Sequence, residues 1–360
     1  MLLGATVFGL VLVSSSIPLT VVYSVSGHNS IHLVTNIGSE EYPRYVAYDY
    51  QNGYMYVSES GASSLSAISS SNKIVTSIVL GSGFPIGIAY DPENKLIYVT
   101  SAEDQNVFAI NSATNKVEKM IPNSGGGLLL YNPADKNIWS LGFYGTVWII
   151  STKSNSVIST IRVGSFPQYF AFDPVNNDVY VANADSNNVS VISTKLRSVI
   201  ATIAVGSSPD SVVANPANGN VYVGNGGSGT VSVINSNYKV IDTIKVGGGP
   251  SFLALDQSHG DVYVANANSN SLFVINSTDH IDAKISVGSS PQMILYDPAN
   301  RDMYVLNQGS NSVTVISTST ENKIVTIPVG GGPLFAAFDP KNSEVYVANF
   351  GGTTVSVLSS

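Results

Sequence analysis

The chain contains no cysteine, which excludes disulfides, thiolate metal ligands and cysteine nucleophiles together. Charge is scarce as well. Only 11% of its 360 residues are charged, and 16 basic against 24 acidic side chains leave a net charge of -8. With no positive field to collect phosphates, nucleic acid is not expected as a partner, and anionic lipid surfaces are disfavoured. Histidine occurs four times, at positions 28, 32, 259 and 280, too few for a histidine-rich copper cluster. Residues 2–13 form an uncharged apolar run followed by three serines. The run is shorter than the ~20 residues that span a bilayer, and Pro18 stops its extension as a helix. Residues 1–19 therefore read as a signal-peptide core or short apolar anchor that places the remainder outside the cell or on its surface.

What is plentiful is Gly, Ser, Asn, Thr, Val and Tyr, the mixture of short strands and tight turns. These residues repeat. A corner followed by an apolar stretch recurs at Pro43, Pro85, Gly126, Pro167, Pro209, Pro250, Pro291 and Pro333, at spacings of 41 or 42 residues. Each unit holds four strand-like segments bounded by turn residues. The first turn is an Asp-Pro or Asn-Pro corner, as at Asp91-Pro92, Asn132-Pro133, Asp173-Pro174, Asn215-Pro216, Asp297-Pro298 and Asp339-Pro340. There the side-chain oxygen accepts a backbone N–H and the proline fixes φ.

A four-stranded meander cannot bury both of its faces alone, but copies packed radially can. The fold class is thus all-β: an eight-bladed β-propeller of four-stranded antiparallel blades, forming one domain over residues 20–360. The last unit lacks a fourth strand, and residues 31–38 (IHLVTNIG) match the fourth-strand pattern. They are expected to close the ring against residues 354–358, so that one blade is shared by both ends of the chain. Residues 21–25 also read as a strand and are a competitor for that blade.

The second segments read Tyr98-Val99-Thr100-Ser101, Tyr180-Val181-Ala182-Asn183, Tyr222-Val223-Gly224-Asn225, Tyr263-Val264-Ala265-Asn266, Tyr304-Val305-Leu306-Asn307 and Tyr346-Val347-Ala348-Asn349. This pattern resembles the YVTN-type β-propeller repeat over roughly residues 31–360. The resemblance implies a protein of the archaeal or bacterial cell surface, including surface-layer components. Similar propellers occur in nitrous-oxide reductase, the haem d1 domain of nitrite reductase, streptogramin lyase and lactonases. The third unit departs from the pattern, with Ile138-Trp139-Ser140-Leu141 in place of Tyr-Val and both tryptophans, Trp139 and Trp148, within it. These two are either an aromatic contact patch or core residues replacing a Tyr and filling the space beside it.

The residues just after each corner gather around the mouth of a propeller's central channel. They read Arg44, Ile86, Gly127, Gln168, Asp210, Ser251, Gln292 and Leu334, with Glu59 and a series of asparagines at the ends of the second strands. Arg44, Glu59, Gln168, Asp210, Ser251 and Gln292 are the candidate ligand-binding residues; no catalytic residue is assigned. Neither a metal nor a cofactor is expected. His259 and His280 fall on the first and third turns of one blade, about 10 Å apart by strand spacing, too far for one zinc with bonds of about 2 Å. Glycine runs at 125–127, 247–249 and 330–332 lead into no Lys-Ser and are not phosphate loops. Asn188 and Asn276 begin sequons that an exported chain exposes to glycosylation. The function read from all this is a non-enzymatic binding, adhesion or envelope-scaffold module whose partner is a protein or glycan of the cell envelope. The alternative is a channel-mouth hydrolase or lyase of the lactonase or streptogramin-lyase kind.

Overall fold

The computed structural model describes residues 31–81 and 83–360, so the strand expected at 21–25 lies outside the described residues. Eight four-stranded antiparallel sheets are arranged as the blades of a propeller. Their inner strands begin the units: Pro43–Asp49 in blade 1, Pro85–Asp91 in blade 2, Leu129–Asn132 in blade 3 and Pro167–Asp173 in blade 4. Pro209–Asn215, Pro250–Leu255, Pro291–Asp297 and Pro333–Asp339 begin blades 5 to 8. Blade 8 is completed by the N-terminal strand Leu33–Gly38, antiparallel to Thr354–Ser359 in the register Leu33↔Leu358 to Gly38↔Thr354. The two chain ends thus close the ring in one sheet, and an otherwise open edge is paired.

Burial runs from the second strand outwards. Asp178–Asn183 is buried at every position, whereas the outer strand Ser198–Ala204 alternates exposed and half-buried residues before Ile203. Sheets covered on both faces read as continuous apolar runs, and each aliphatic side chain so buried stabilises by about 1.5–3 kcal/mol. The corners behave as Asx turns in all eight blades: the side chain of Asp49, Asp91, Asn132, Asp173, Asn215, Asp256, Asp297 or Asp339 accepts the N–H two residues on at 2.8–3.0 Å.

The repeated tyrosine fastens blade to blade. Its hydroxyl meets the third turn of the next blade: Tyr56 donates to Asn115 (2.8 Å), Tyr98 to Asn155 (2.5 Å), Tyr222 to Asp279 and Tyr346 to Asn72. An asparagine four residues earlier donates to the same oxygen in five blades, at 2.8–3.1 Å. Blade 3 makes the exchange consistently. Trp139 is fully buried in the tyrosine's place, and Asp135 replaces the asparagine, accepting from the indole Nε1 at 3.3 Å. Trp148 lies over Gly125 and Gly142, where a Cβ would fall 3.2 and 2.2 Å from its ring. Trp139 is thus a packing residue of this blade, while Trp148 packs over the two glycines and remains half-buried.

Candidate functional site

One face of the ring carries the corners that precede the inner strands and the turns that follow the second strands. The two are tied by backbone hydrogen bonds, from Ser60 to Tyr42, Ala102 to Phe84, Ala184 to Phe166, Gly226 to Ser208, Ala267 to Gly249 and Gln308 to Ser290, at 2.8–3.1 Å. Just inside this face the ladder between inner and second strands slips. In blade 4 Pro167 pairs with Asn183 and Tyr169 with Ala182, leaving Gln168 as the extra residue. Blades 5 to 8 slip at the same step, blades 1 and 2 slip between Pro43 and Val46 and between Pro85 and Ile88, and in blade 3 Gly127 donates to Leu141 and Leu141 to Leu128, so two residues face one there as well. Such bulges re-aim a side chain out of the pleat, and here they project the post-corner residues towards the axis.

The result is a cavity of about 300 Å³ lined by Arg44, Gln168, Ser251 and Gln292 together with Phe143, Phe166, Leu128, Leu141, Leu334 and the inner-strand aromatics Tyr169, Phe252 and Phe335. The short inner strand of blade 3 contributes Gly127 in place of a longer side chain. Tyr45 meets Phe335 at a tilt of 37° with ring centres 4.4 Å apart, and Tyr169 meets Phe252 edge-on at 5.7 Å. Burial pushes the Tyr169 phenol well up, and the Tyr45 hydroxyl adds to it. The Ser251 hydroxyl donates to the Pro291 carbonyl at 2.7 Å, and the Gln292 amide donates to Ser290 at 3.2 Å.

Arg44 is the cavity's only charged side chain among the described residues. Its guanidinium lies 5.7 Å from the centre of the Phe84 ring and 5.4 Å from that of Phe350, and its Nε is buried without a hydrogen-bond partner. Neither ion pair among the described residues includes it. Burial lowers its pKa.

Asp210 and Glu59 do not line the cavity. Asp210 follows its corner as expected, but its carboxylate lies against Gly226, where a Cβ would fall 2.1 Å from Oδ2. Burial pushes it up to about 6. Glu59 ends the second strand of blade 1 opposite Pro43 and is fully buried. Four blades hold an asparagine there whose Nδ2 donates to third-strand side-chain oxygens, as Asn183 does to Ser190 at 3.0 Å and Asn349 to Ser356 at 2.9 Å. Those asparagines are thus turn and strand fasteners. Burial raises Glu59 to about 7, with Ser66 and Ser39 lowering it and the nearby Glu40 raising it. Glu40 itself accepts from Ser64 at 2.5 Å.

The sequence reading missed an asymmetry in the residue immediately before each corner. It is Tyr42, Phe84 and Phe166 in blades 1, 2 and 4, but Ser208, Gly249, Ser290 and Gly332 in blades 5 to 8. Phe143 and Phe350 extend the aromatic side from the neighbouring turns, so the rings occupy an arc from blade 8 to blade 4. The signal lay in the column before the proline, which reads as turn chemistry unless its members are compared. Elsewhere, Asp256, His259 and Asp261 bring one ligand atom each within 4.8 Å of one another. Within that group His259 and Asp256 already share a 2.6 Å hydrogen bond on the first turn of blade 6. His280 is engaged separately with the Thr278 carbonyl at 2.7 Å. Asn188 and Asn276 are both half-buried; Asn188 accepts from Asn183 at 2.8 Å, and Asn276 donates to Asp282 at 2.8 Å.

No protein-family profile matches the chain, and no curated protein matches it. Among solved structures it is similar to a chain of "Kuenenia stuttgartiensis Hydrazine Synthase", with a TM-score of 0.63 and 15% sequence identity over 94% of this chain and 99% of that one. At that identity the likeness is one of propeller fold. Fold does not carry function, which has to be argued from the site.

Proposed function

We propose that this propeller is a non-enzymatic binding module of the cell exterior, of the YVTN-like surface class, and that the cavity at its mouth is where it takes its ligand. The carrying observation is the cavity itself. It is a concave, largely apolar pocket with a few convergent polar groups, Arg44, Gln168, Ser251 and Gln292, which is the usual form of a small-molecule site or of a socket for one residue of a larger protein or glycan. The hydrolase or lyase alternative gains little from the geometry. The buried carboxyl at Glu59 is withdrawn from the cavity, and among the described residues the wall holds no carboxylate or imidazole to act as general base.

The test is calorimetric titration of the full chain with a panel of small carboxylates, amides and monosaccharides, repeated on Gln168→Trp, which fills the cavity. Binding by the parent chain that is lost in the variant, with an unchanged melting temperature and no product by mass spectrometry, is the expected result. Binding indifferent to the tryptophan, no binding by any compound, or turnover of a bound compound would each sink the reading.

A further inference from the structure

We infer that the mouth cavity takes a small carboxylate whose apolar body lies towards the aromatic arc, with Arg44 as its anchor. The inference rests on the binding reading above and names the ligand's chemistry.

A partly desolvated cation is favoured by a paired anion. Arg44 sits between two phenylalanine rings in a chain of net charge -8, yet it has no acidic partner among the described residues and an unpartnered Nε. The ring faces offset part of the charge. They cannot accept its N–H groups. A carboxylate can, in the two-pronged geometry that arginine favours. Among the described residues no carboxylate on the cavity wall competes for that role.

The second observation is conformational. Tyr42 and Phe166 have φ of 51° and 52°, the left-handed region that Gly249 and Gly332 fill with φ of 64° and 61° in the equivalent corners. Bulky side chains are unfavourable there, and these two are not held by burial, being 50% and 46% exposed. Folding of the corner needs only glycine or serine, as blades 5 to 8 show. Strained positions of this kind occur at ligand clamps, and Phe166 places a flat apolar ring on the cavity wall three blades round the ring from Arg44. The volume of about 300 Å³ suits the enclosed part of a small ligand.

The experiment compares phenylacetate, its uncharged amide phenylacetamide, and acetate by calorimetry on the full chain at neutral pH. Arg44→Met, Arg44→Lys and Phe166→Ser are titrated in parallel. Phenylacetate should bind at least about tenfold more tightly than phenylacetamide, the strength of a charge-assisted pair. Arg44→Met should abolish that difference, and Arg44→Lys should keep a reduced one. Phe166→Ser should weaken phenylacetate but leave acetate unchanged. If Arg44→Met fails to fold, the lysine variant carries the comparison. Equal binding of acid and amide overturns the inference, as does acetate binding as tightly as phenylacetate. Uncharged compounds that bind in a Gln168→Trp-sensitive way while carboxylates do not would overturn it and leave the binding reading standing. Silence from every compound would remove both.

Discussion

Asp135 accepts a hydrogen bond where five other blades use an asparagine as donor, because an indole offers only an N–H and a tyrosine offers both. Asp135→Ala should strand that buried donor and cost about 1–3 kcal/mol in urea unfolding, while Asp135→Asn should stay near the parent value. The same residue-by-residue logic gives a pH dependence. Glu59 is raised to about 7, and Asp210 and Asp297 to about 6, chiefly by burial. In the unfolded chain such groups titrate near 4. Between those values the native state holds protons that the unfolded state has lost, so stability is full below about pH 4 and declines as pH rises through 6 and 7. The urea midpoint should therefore be higher at pH 5 than at pH 8. Glu59→Gln, which restores the amide donor found in other blades, should flatten the upper part of the profile. A profile rising towards pH 8 would show that these carboxyls are ionised and well paired in the native state. The place of Arg44, Gln168, Ser251 and Gln292 on the cavity wall was legible because each follows a corner at one fixed offset. Glu59 could not be placed, because whether the end of a second strand faces the axis or the neighbouring sheet depends on register, which composition does not record.

At the level of strands, the corners and the tyrosine column were legible because they need particular residues: Pro and Asp for a turn, Tyr for a reach into the next blade. The bulges were not. Each third strand meets its outer strand with a slip, as between Val191 and Ile192 or Val233 and Ile234, and an extra residue among β-branched neighbours leaves no mark in the sequence. The closing strand was legible through its likeness to the fourth strands. Its grip is tested by Ile37, which is buried against Val355 and Val357 in the joint blade. Ile37→Ala should cost about 2–4 kcal/mol. Val79→Ala, in an outer strand and 72% exposed, should lie within about 0.5 kcal/mol of the parent. Equal effects of the two in denaturant melts would mean that the N-terminal strand is not holding the ring.

At the scale of the whole molecule, the repeat explains why the architecture could be read so fully from one sequence and the activity so little. Every blade must satisfy the same packing, so its pattern is written about eight times over. A ligand site is written once, in the few places where one copy differs from its siblings. The places where this mouth departs from its repeat are Arg44, the one basic residue of the post-corner series, the glycine of blade 3, and the tyrosine and phenylalanines of one arc. A mouth of identical blades would offer a guest eight interchangeable seats, each as good as the next. The lopsided rim described above removes that degeneracy. Whatever enters should do so in a single orientation, at one molecule per chain, and a titration should saturate at that ratio.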